Sequence, residues 1–225
     1  APDEHLRAID TGAYYVAGPN GKPQAVLTAS TSAQGVGKIE GLGGFEDLKR
    51  FFGVAWDTGA ASKYIVAGDS TRDNGYNLMI AYYTSTLSKI GVTAIKNAAS
   101  GQSGQNWKNN SGAVTLAQAI AESGDGTNVV LEYSYGINDY KNGATEAQVE
   151  QWLTEGLTAY MAACPYARVL LVVPVYTLEL GRNVVLQDIY KRLAKNFALP
   201  LVDVLSITAA VHGNASYYFD GTHPN

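Results

Sequence analysis

Two groups of polar residues could together catalyse acyl transfer. The first is Gly68-Asp69-Ser70, which directly follows an apolar run, so the Ser70 hydroxyl would be presented at the end of a strand as a nucleophile. The second is Asp220 with His223, where the three-residue spacing lets a carboxylate reach one imidazole nitrogen and leave the other as a general base. A serine, a histidine and an orienting carboxylate are the components of nucleophilic catalysis on esters and amides.

Two further groups could stabilise a developing oxyanion. Gly101 lies in a Ser/Gly-rich loop, where a residue without a side chain can point its backbone N–H outward. Asn138, in Gly136-Ile137-Asn138-Asp139, could donate from its amide to an oxyanion or could hold a turn. Taken singly, each of these groups is more typical of a helix cap, a flexible loop or a turn. The aspartates beside them, Asp69 and Asp139, are more typical of turn-forming residues than of catalytic ones.

These groups follow strands in a regular alternation of strand and helix. The pattern predicts strands over residues 63–67, 93–98, 128–133, 168–175 and 199–204, and helices over 78–90, 113–122, 145–163 and 184–196. Such alternation is typical of a parallel sheet with helices on both faces. Because reactive groups in such sheets gather beyond the carboxyl ends of the strands, we expect the polar groups to meet at one edge.

Residues 1–60 have a different texture. Extended runs at 14–16 and 25–28 flank a turn cluster at 18–23, and a glycine-rich connection at 35–44 precedes a short predicted helix at 45–52. The sequence therefore predicts a small irregular or β appendage over 1–60 and an α/β domain over 61–225.

Composition excludes several classes of protein. Of 225 residues, 46% are hydrophobic, which is enough for a substantial core. The net charge of −4 offers no basic surface for nucleic acid, and no apolar run approaches the length of a membrane span. The single cysteine, Cys164, excludes an internal disulfide framework and a cysteine metal cluster.

The four groups, in this order at successive strand ends, resemble the blocks of the SGNH (GDSL) hydrolase superfamily. The resemblance implies a flavodoxin-like three-layer α/β/α sandwich with a central parallel sheet. It implies that Ser70 is the nucleophile, His223 the base and Asp220 its orienting carboxylate. The implied oxyanion donors are the backbone N–H groups of Ser70 and Gly101 and the side-chain amide of Asn138. No metal and no organic cofactor is implied.

Two features depart from that superfamily. Its members usually continue after the histidine with a helix, so we expect the 61–225 domain to lack its C-terminal helix. The N-terminal residues resemble connector regions of phage tail fibres and tailspikes, some of which carry esterase domains that deacetylate polysaccharides. That likeness implies an extracellular or virion-surface location and a larger, trimeric fibre.

Aromatic and amide side chains near the predicted site suit sugars, which offer both C–H faces and hydroxyl groups. We take Trp107, Tyr140 and Tyr218 as candidate substrate-binding residues, and an acetylated glycan or another small ester as the substrate. The same aromatic residues are also compatible with filling the core edge. Two alternatives stay open: a lipase or thioesterase of the same superfamily, and a non-catalytic carbohydrate-binding module.

Overall fold

The structure is a computed structural model that describes residues 7–8, 14–17, 23–26, 62–73, 79–178, 181–207, 214–217 and 222–223. The predicted glycine-rich connection at 35–44 and the predicted helix at 45–52 lie outside these residues.

A five-stranded parallel sheet forms the centre of the α/β region. Its strands lie in the order β5-β4-β6-β7-β8, which is the flavodoxin-like order 2-1-3-4-5. This order confirms the predicted fold class, and it places the strand that precedes Ser70 between the two strands that precede Gly101 and Asn138. The strands are β4 (Ser62–Gly68), β5 (Val92–Ala98), β6 (Val129–Ser134), β7 (Arg168–Val172) and β8 (Leu201–Val202).

The helices alternate with these strands along the chain. The longer predicted helices are present, and three short helices that the sequence pattern did not predict accompany them. The helices are α1 (Met79–Leu87, continued as a 3₁₀ turn over Ser88–Ile90), α2 (Gly104–Lys108), α3 (Leu116–Ser123), α4 (Ile137–Lys141), α5 (Glu146–Ala163), α6 (Asn183–Phe197) and α7 (Val204–Ile207), followed by a 3₁₀ turn at Ala215–Tyr217.

The two faces of the sheet pack against different helices because successive side chains of a strand point to opposite sides. On β4, Ile65 and Ala67 belong to the larger core, which includes buried side chains of α2, α3, α5 and α6. Tyr64 and Val66 belong to the smaller core, which is completed in part by Tyr83 at α1. The sheet is therefore the middle of three layers.

The N-terminal residues contain an antiparallel sheet of β1 (Arg7–Ala8), β2 (Tyr14–Ala17) and β3 (Pro23–Val26). Strands β2 and β3 pair across the predicted turn, with Tyr15 opposite Ala25. The division of the chain into an appendage and a hydrolase domain remains a prediction. Among the residues described, no helix has the length and apolar character needed to span a bilayer.

Candidate active site

Ser70 lies in a tight turn at the carboxyl end of β4, the second strand of the sheet. Backbone bonds from Arg72 N to Asp69 O (3.0 Å) and from Asp73 N to Ser70 O (3.2 Å) form this nucleophile turn, residues 69–73. The turn requires glycine at position 68, because a Cβ there would lie 2.6 Å from Cγ of Arg72. The absence of a side chain at position 68 thus lets the chain fold back over the strand end.

Asp69 shapes the same turn. Its Oδ1 accepts hydrogen bonds from the backbone N–H of Thr71 (2.9 Å) and from the Thr71 hydroxyl (2.7 Å). The carboxyl group is fully buried, and burial raises its pKa although the bonds from Thr71 oppose that shift. Asp69 therefore acts as the turn-forming residue that its sequence position suggested.

His223 contacts Ser70, although the two residues are far apart in the sequence. Its Nε2 lies 2.6 Å from Oγ of Ser70, and the two residues are 153 positions apart in the chain. Both side chains are largely buried, so bulk water has little access to this contact. The carboxylate proposed to orient the imidazole, Asp220, and the candidate substrate-binding Tyr218 lie outside the described residues.

The predicted oxyanion donors follow β5 and β6: Gly101 lies in the oxyanion loop, residues 99–103, and Asn138 lies in α4. Gly101 occupies the third position of the turn closed by Gln102 N to Ala99 O (3.2 Å), and its φ of +74° is one that glycine adopts without strain. No described atom accepts a hydrogen bond from the backbone N–H of Ser70 or of Gly101. The amide of Asn138 donates one hydrogen to the carbonyl of Gln102 at 2.9 Å, which leaves its second N–H for another acceptor.

The short helix α4 connects the parts of the site. Beside Asn138, the carboxylate of Asp139 accepts from the backbone N–H of Gly104 (2.7 Å) and of Gln105 (3.0 Å). Burial raises the pKa of Asp139, and these two bonds oppose the shift. At the other end of α4, Nζ of Lys141 donates to the hydroxyl of Thr222, the neighbour of His223, at 2.7 Å. One turn of helix thus contacts both the oxyanion loop and the histidine segment.

A buried ion pair lies beneath the nucleophile turn. Nε of Arg72 is 3.3 Å from Oε1 of Glu132, and the two side chains are only 3% and 1% exposed. The geometry is that of an ion pair rather than of a well-aligned hydrogen bond, while Oε2 of Glu132 accepts from the hydroxyls of Tyr64 (2.7 Å) and Tyr83 (3.0 Å). Burial is the largest single effect and would lower the pKa of Arg72, but the surrounding groups, of which Glu132 contributes most, together outweigh it and raise that pKa. Sequence reasoning missed this pair, although a glutamate within the apolar run of β6 was a visible signal.

Two of the candidate substrate-binding residues are placed differently from the prediction. Trp107 is fully buried, donates from Nε1 to Oδ1 of Asn97 at 2.7 Å and packs on the rings of Tyr133 and Tyr135. The prediction for Trp107 was therefore wrong, because the indole fills the core between α2 and the sheet. Tyr140 is also buried and has the guanidinium of Arg182 over its ring, so it offers no open face to a sugar. Burial raises the pKa of Tyr140 to about 12.

Within the described ranges, no group of three or more His, Cys, Asp or Glu side chains is placed to hold a metal ion. The hydroxyl of Ser70 has the imidazole of His223 beside it, and the segments that carry Gly101 and Asn138 follow the two strands that flank β4. A hydroxyl and an imidazole at this distance can exchange a proton.

Several solved structures have the same fold. TesA aligns at a TM-score of 0.56 and 23% identity over 73% of this chain and 89% of its own. A lipolytic protein of the G-D-S-L family from Veillonella parvula aligns at 0.54 and 17% identity over 73% and 90%. A carbohydrate esterase of family 3 from Talaromyces cellulolyticus aligns at 0.52 and 17% identity over 73% and 88%. No protein-family model and no curated relative matches the sequence. The chain has the fold of the SGNH (GDSL) hydrolases.

Proposed function

We propose that this protein is a serine esterase that removes short acyl groups, foremost acetyl groups, from the hydroxyls of a carbohydrate. The observation that carries the proposal is the 2.6 Å contact between Nε2 of His223 and Oγ of Ser70. A hydroxyl at that distance can transfer its proton to the imidazole as it attacks a carbonyl carbon.

The reaction follows from the groups around Ser70. Oγ attacks the ester carbonyl, its proton passes to Nε2 of His223, and the carbonyl oxygen becomes an oxyanion. The N–H groups of Ser70, Gly101 and Asn138 are available to stabilise that charge, and one such donor is worth roughly 3–4 kcal/mol at the transition state. The imidazolium protonates the leaving alcohol, and an acyl group remains on Ser70. Water then attacks the acyl carbon as His223 takes one of its protons. The bond between the acyl carbon and Oγ breaks, the imidazolium returns the proton to Oγ, and the acid leaves.

The carbohydrate part of the proposal rests on the surroundings of the site. The loop and helix after Gly101 carry the amides of Gln105 and Asn106, both partly exposed, rather than an apolar run that could serve as a lipase lid. The lipase or thioesterase alternative requires an apolar groove. The binding-module alternative does not account for the contact between Ser70 and His223.

The first test is hydrolysis of p-nitrophenyl acetate by the full chain and by Ser70→Ala. We expect the variant to fold normally and to lose several orders of magnitude in kcat, because no acyl-enzyme can form. Ser88→Ala is the matched control, since Ser88 is exposed and precedes β5 at the opposite edge of the sheet. A folded Ser70→Ala protein that kept a tenth of the activity would overturn the assignment.

The acyl-chain preference separates the proposed activity from a lipase. A small acyl site should reject added methylenes, each of which would contribute roughly 0.8 kcal/mol of burial in an apolar groove. We therefore expect kcat/KM to fall steeply from acetate through butyrate to octanoate esters of p-nitrophenol. A rise towards octanoate would favour the lipase alternative.

A further inference from the structure

A polar pocket of about 150 Å³ lies between α2, the α4–α5 connection and α5. The proposed chemistry does not use it. Its walls include Ser103, Gln105, Asp139, Asn142, Gln148 and Trp152.

The pocket adjoins the oxyanion loop and α4. Ser103 is the next residue after Gln102, whose carbonyl the Asn138 amide holds, and Asp139 is the next residue after Asn138. Only Gln102 lies between Gly101 and Ser103, so the Cα atoms of these two residues are at most about 7 Å apart. A ligand whose ester lies at Ser70 therefore has this pocket at the same edge of the sheet.

Trp152 departs from the packing of its helix. The sequence places it in the apolar stripe of α5 with Val149, Leu153 and Leu157, yet those three side chains are fully buried and Trp152 is only half-buried. Its ring borders the pocket, and its indole N–H has no hydrogen-bond partner among the residues described. An aromatic face with a polar N–H at its edge suits a ligand that is apolar on one side and hydroxylated at its rim.

Carboxamide groups supply the remaining polarity. The side-chain amides of Gln105 and Asn142 make no hydrogen bond within the described part of the chain. Gln148 accepts bonds from Thr145 through Oε1, so its NH₂ group remains available as a donor. Carboxamides both donate and accept, which matches hydroxyl groups.

The charge at the pocket argues against an anionic ligand. Both oxygens of the Asp139 carboxylate are already engaged by backbone N–H groups of α2, and no lysine or arginine lines the pocket. An anion would therefore meet a buried carboxyl group and no cation. A neutral, hydroxyl-rich ligand meets neither penalty.

We propose that this pocket binds a neutral sugar unit of the glycan next to the unit that carries the ester. The inference rests on the proposed function and adds to it a second contact point for the polysaccharide. Trp152 provides the stacking surface, and the amides of Gln105 and Asn142 bind hydroxyl groups.

The kinetic test compares Trp152→Ala with the unaltered chain on p-nitrophenyl acetate and on a panel of O-acetylated xylan, mannan and glucan oligosaccharides. We expect KM for the preferred oligosaccharide to rise about tenfold, as for the loss of one stacked aromatic contact, with p-nitrophenyl acetate unaffected. Trp152→Phe should leave KM close to that of the unaltered chain, because it retains an aromatic ring. Gln105→Ala should raise KM less than Trp152→Ala does. Tyr166→Ala is the matched control, since this tyrosine is 66% exposed and precedes β7 at the opposite edge of the sheet.

A binding measurement separates this inference from the proposed activity. Calorimetric titration of Ser70→Ala with the same oligosaccharides should give binding that Trp152→Ala removes and Tyr166→Ala preserves. The pocket assignment would be overturned if Trp152→Ala raised KM equally for p-nitrophenyl acetate and for the oligosaccharides, or if oligosaccharide binding did not depend on Trp152. Either result would leave the esterase assignment unchanged. Absence of any esterase activity together with Trp152-dependent binding would instead overturn the proposed function and retain the pocket.

Discussion

Replacing Glu132 by glutamine should strongly destabilise the protein. The carboxylate faces Arg72 at 3.3 Å and accepts the hydroxyls of Tyr64 and Tyr83. Glutamine keeps the shape and one acceptor oxygen, but it removes the negative charge and presents an NH₂ group in its place. The guanidinium would then remain buried beneath the nucleophile turn without its carboxylate.

The magnitude follows from the burial of the pair. Removing one partner of a buried ion pair costs about 3–5 kcal/mol, because the other charge stays desolvated. A typical domain has a free energy of unfolding of about 5–15 kcal/mol, so the variant should lose a large share of its stability. Since Arg72 lies two residues after Ser70, we also expect kcat to fall in the protein that remains folded.

Urea denaturation at neutral pH measures the effect. The control is Glu146→Gln, the same substitution at a surface pair with Arg192 in which the side chains are 49% and 42% exposed, and it should cost less than about 1 kcal/mol. The double variant Glu132→Gln/Arg72→Met should recover part of the loss, because it also removes the buried positive charge that faced Glu132. If the free energy of unfolding of Glu132→Gln lies within about 1 kcal/mol of that of the unaltered chain, the ion pair does not stabilise the turn.

Three further expectations concern the turn and the oxyanion site. Asn138→Ala should lower kcat on p-nitrophenyl acetate by about 10²–10³ with a much smaller change in KM, and an effect on KM alone would place Asn138 in ground-state binding. Gly68→Ala should cost about 1–3 kcal/mol in thermal or urea unfolding, because the new Cβ would lie 2.6 Å from Cγ of Arg72; a neutral result would show that the turn can move. Burial raises the pKa of Asp69, so the folded state holds its proton to higher pH than the unfolded chain does, and stability from this group declines as pH rises above the ordinary carboxyl range near 4. Asp69→Asn should therefore flatten the fall in the free energy of unfolding over that range, and an unchanged pH profile would contradict the assignment.

The fold could be predicted because its signals are local. The apolar runs at 63–67 and 128–133 are bounded by polar groups and alternate with amphipathic segments, so strand ends and reactive groups are read together. The position of Ser70 after β4 and of Asn138 after β6 follows from that reading. The contact of Ser70 with His223 does not, since a spacing of 153 residues gives no direct physical signal and required the resemblance to a known set of motifs.

Burial of individual aromatic residues could not be predicted. Trp107 lies in a segment rich in Ser, Gly and Asn that reads as a loop, yet that segment forms α2 and directs the indole inward to Asn97. Trp152 lies in a strong helical stripe and is nevertheless only half-buried. In both cases the packing of one helix against its neighbours decides exposure, and a single sequence carries no record of that packing. The five-residue helix α4 is similarly too short for its periodicity to show.

The wide separation of Ser70 and His223 along the chain has a consequence for how activity emerges during synthesis. The strand before Ser70, the oxyanion loop and α4 are complete long before the histidine leaves the ribosome, and a contact between distant residues forms only after the intervening chain has ordered. A nascent or partly folded chain therefore contains Ser70 without the imidazole of His223 beside it. The proposed ester hydrolysis would then require complete folding of the domain. During refolding, hydrolytic activity should therefore recover more slowly than helix content.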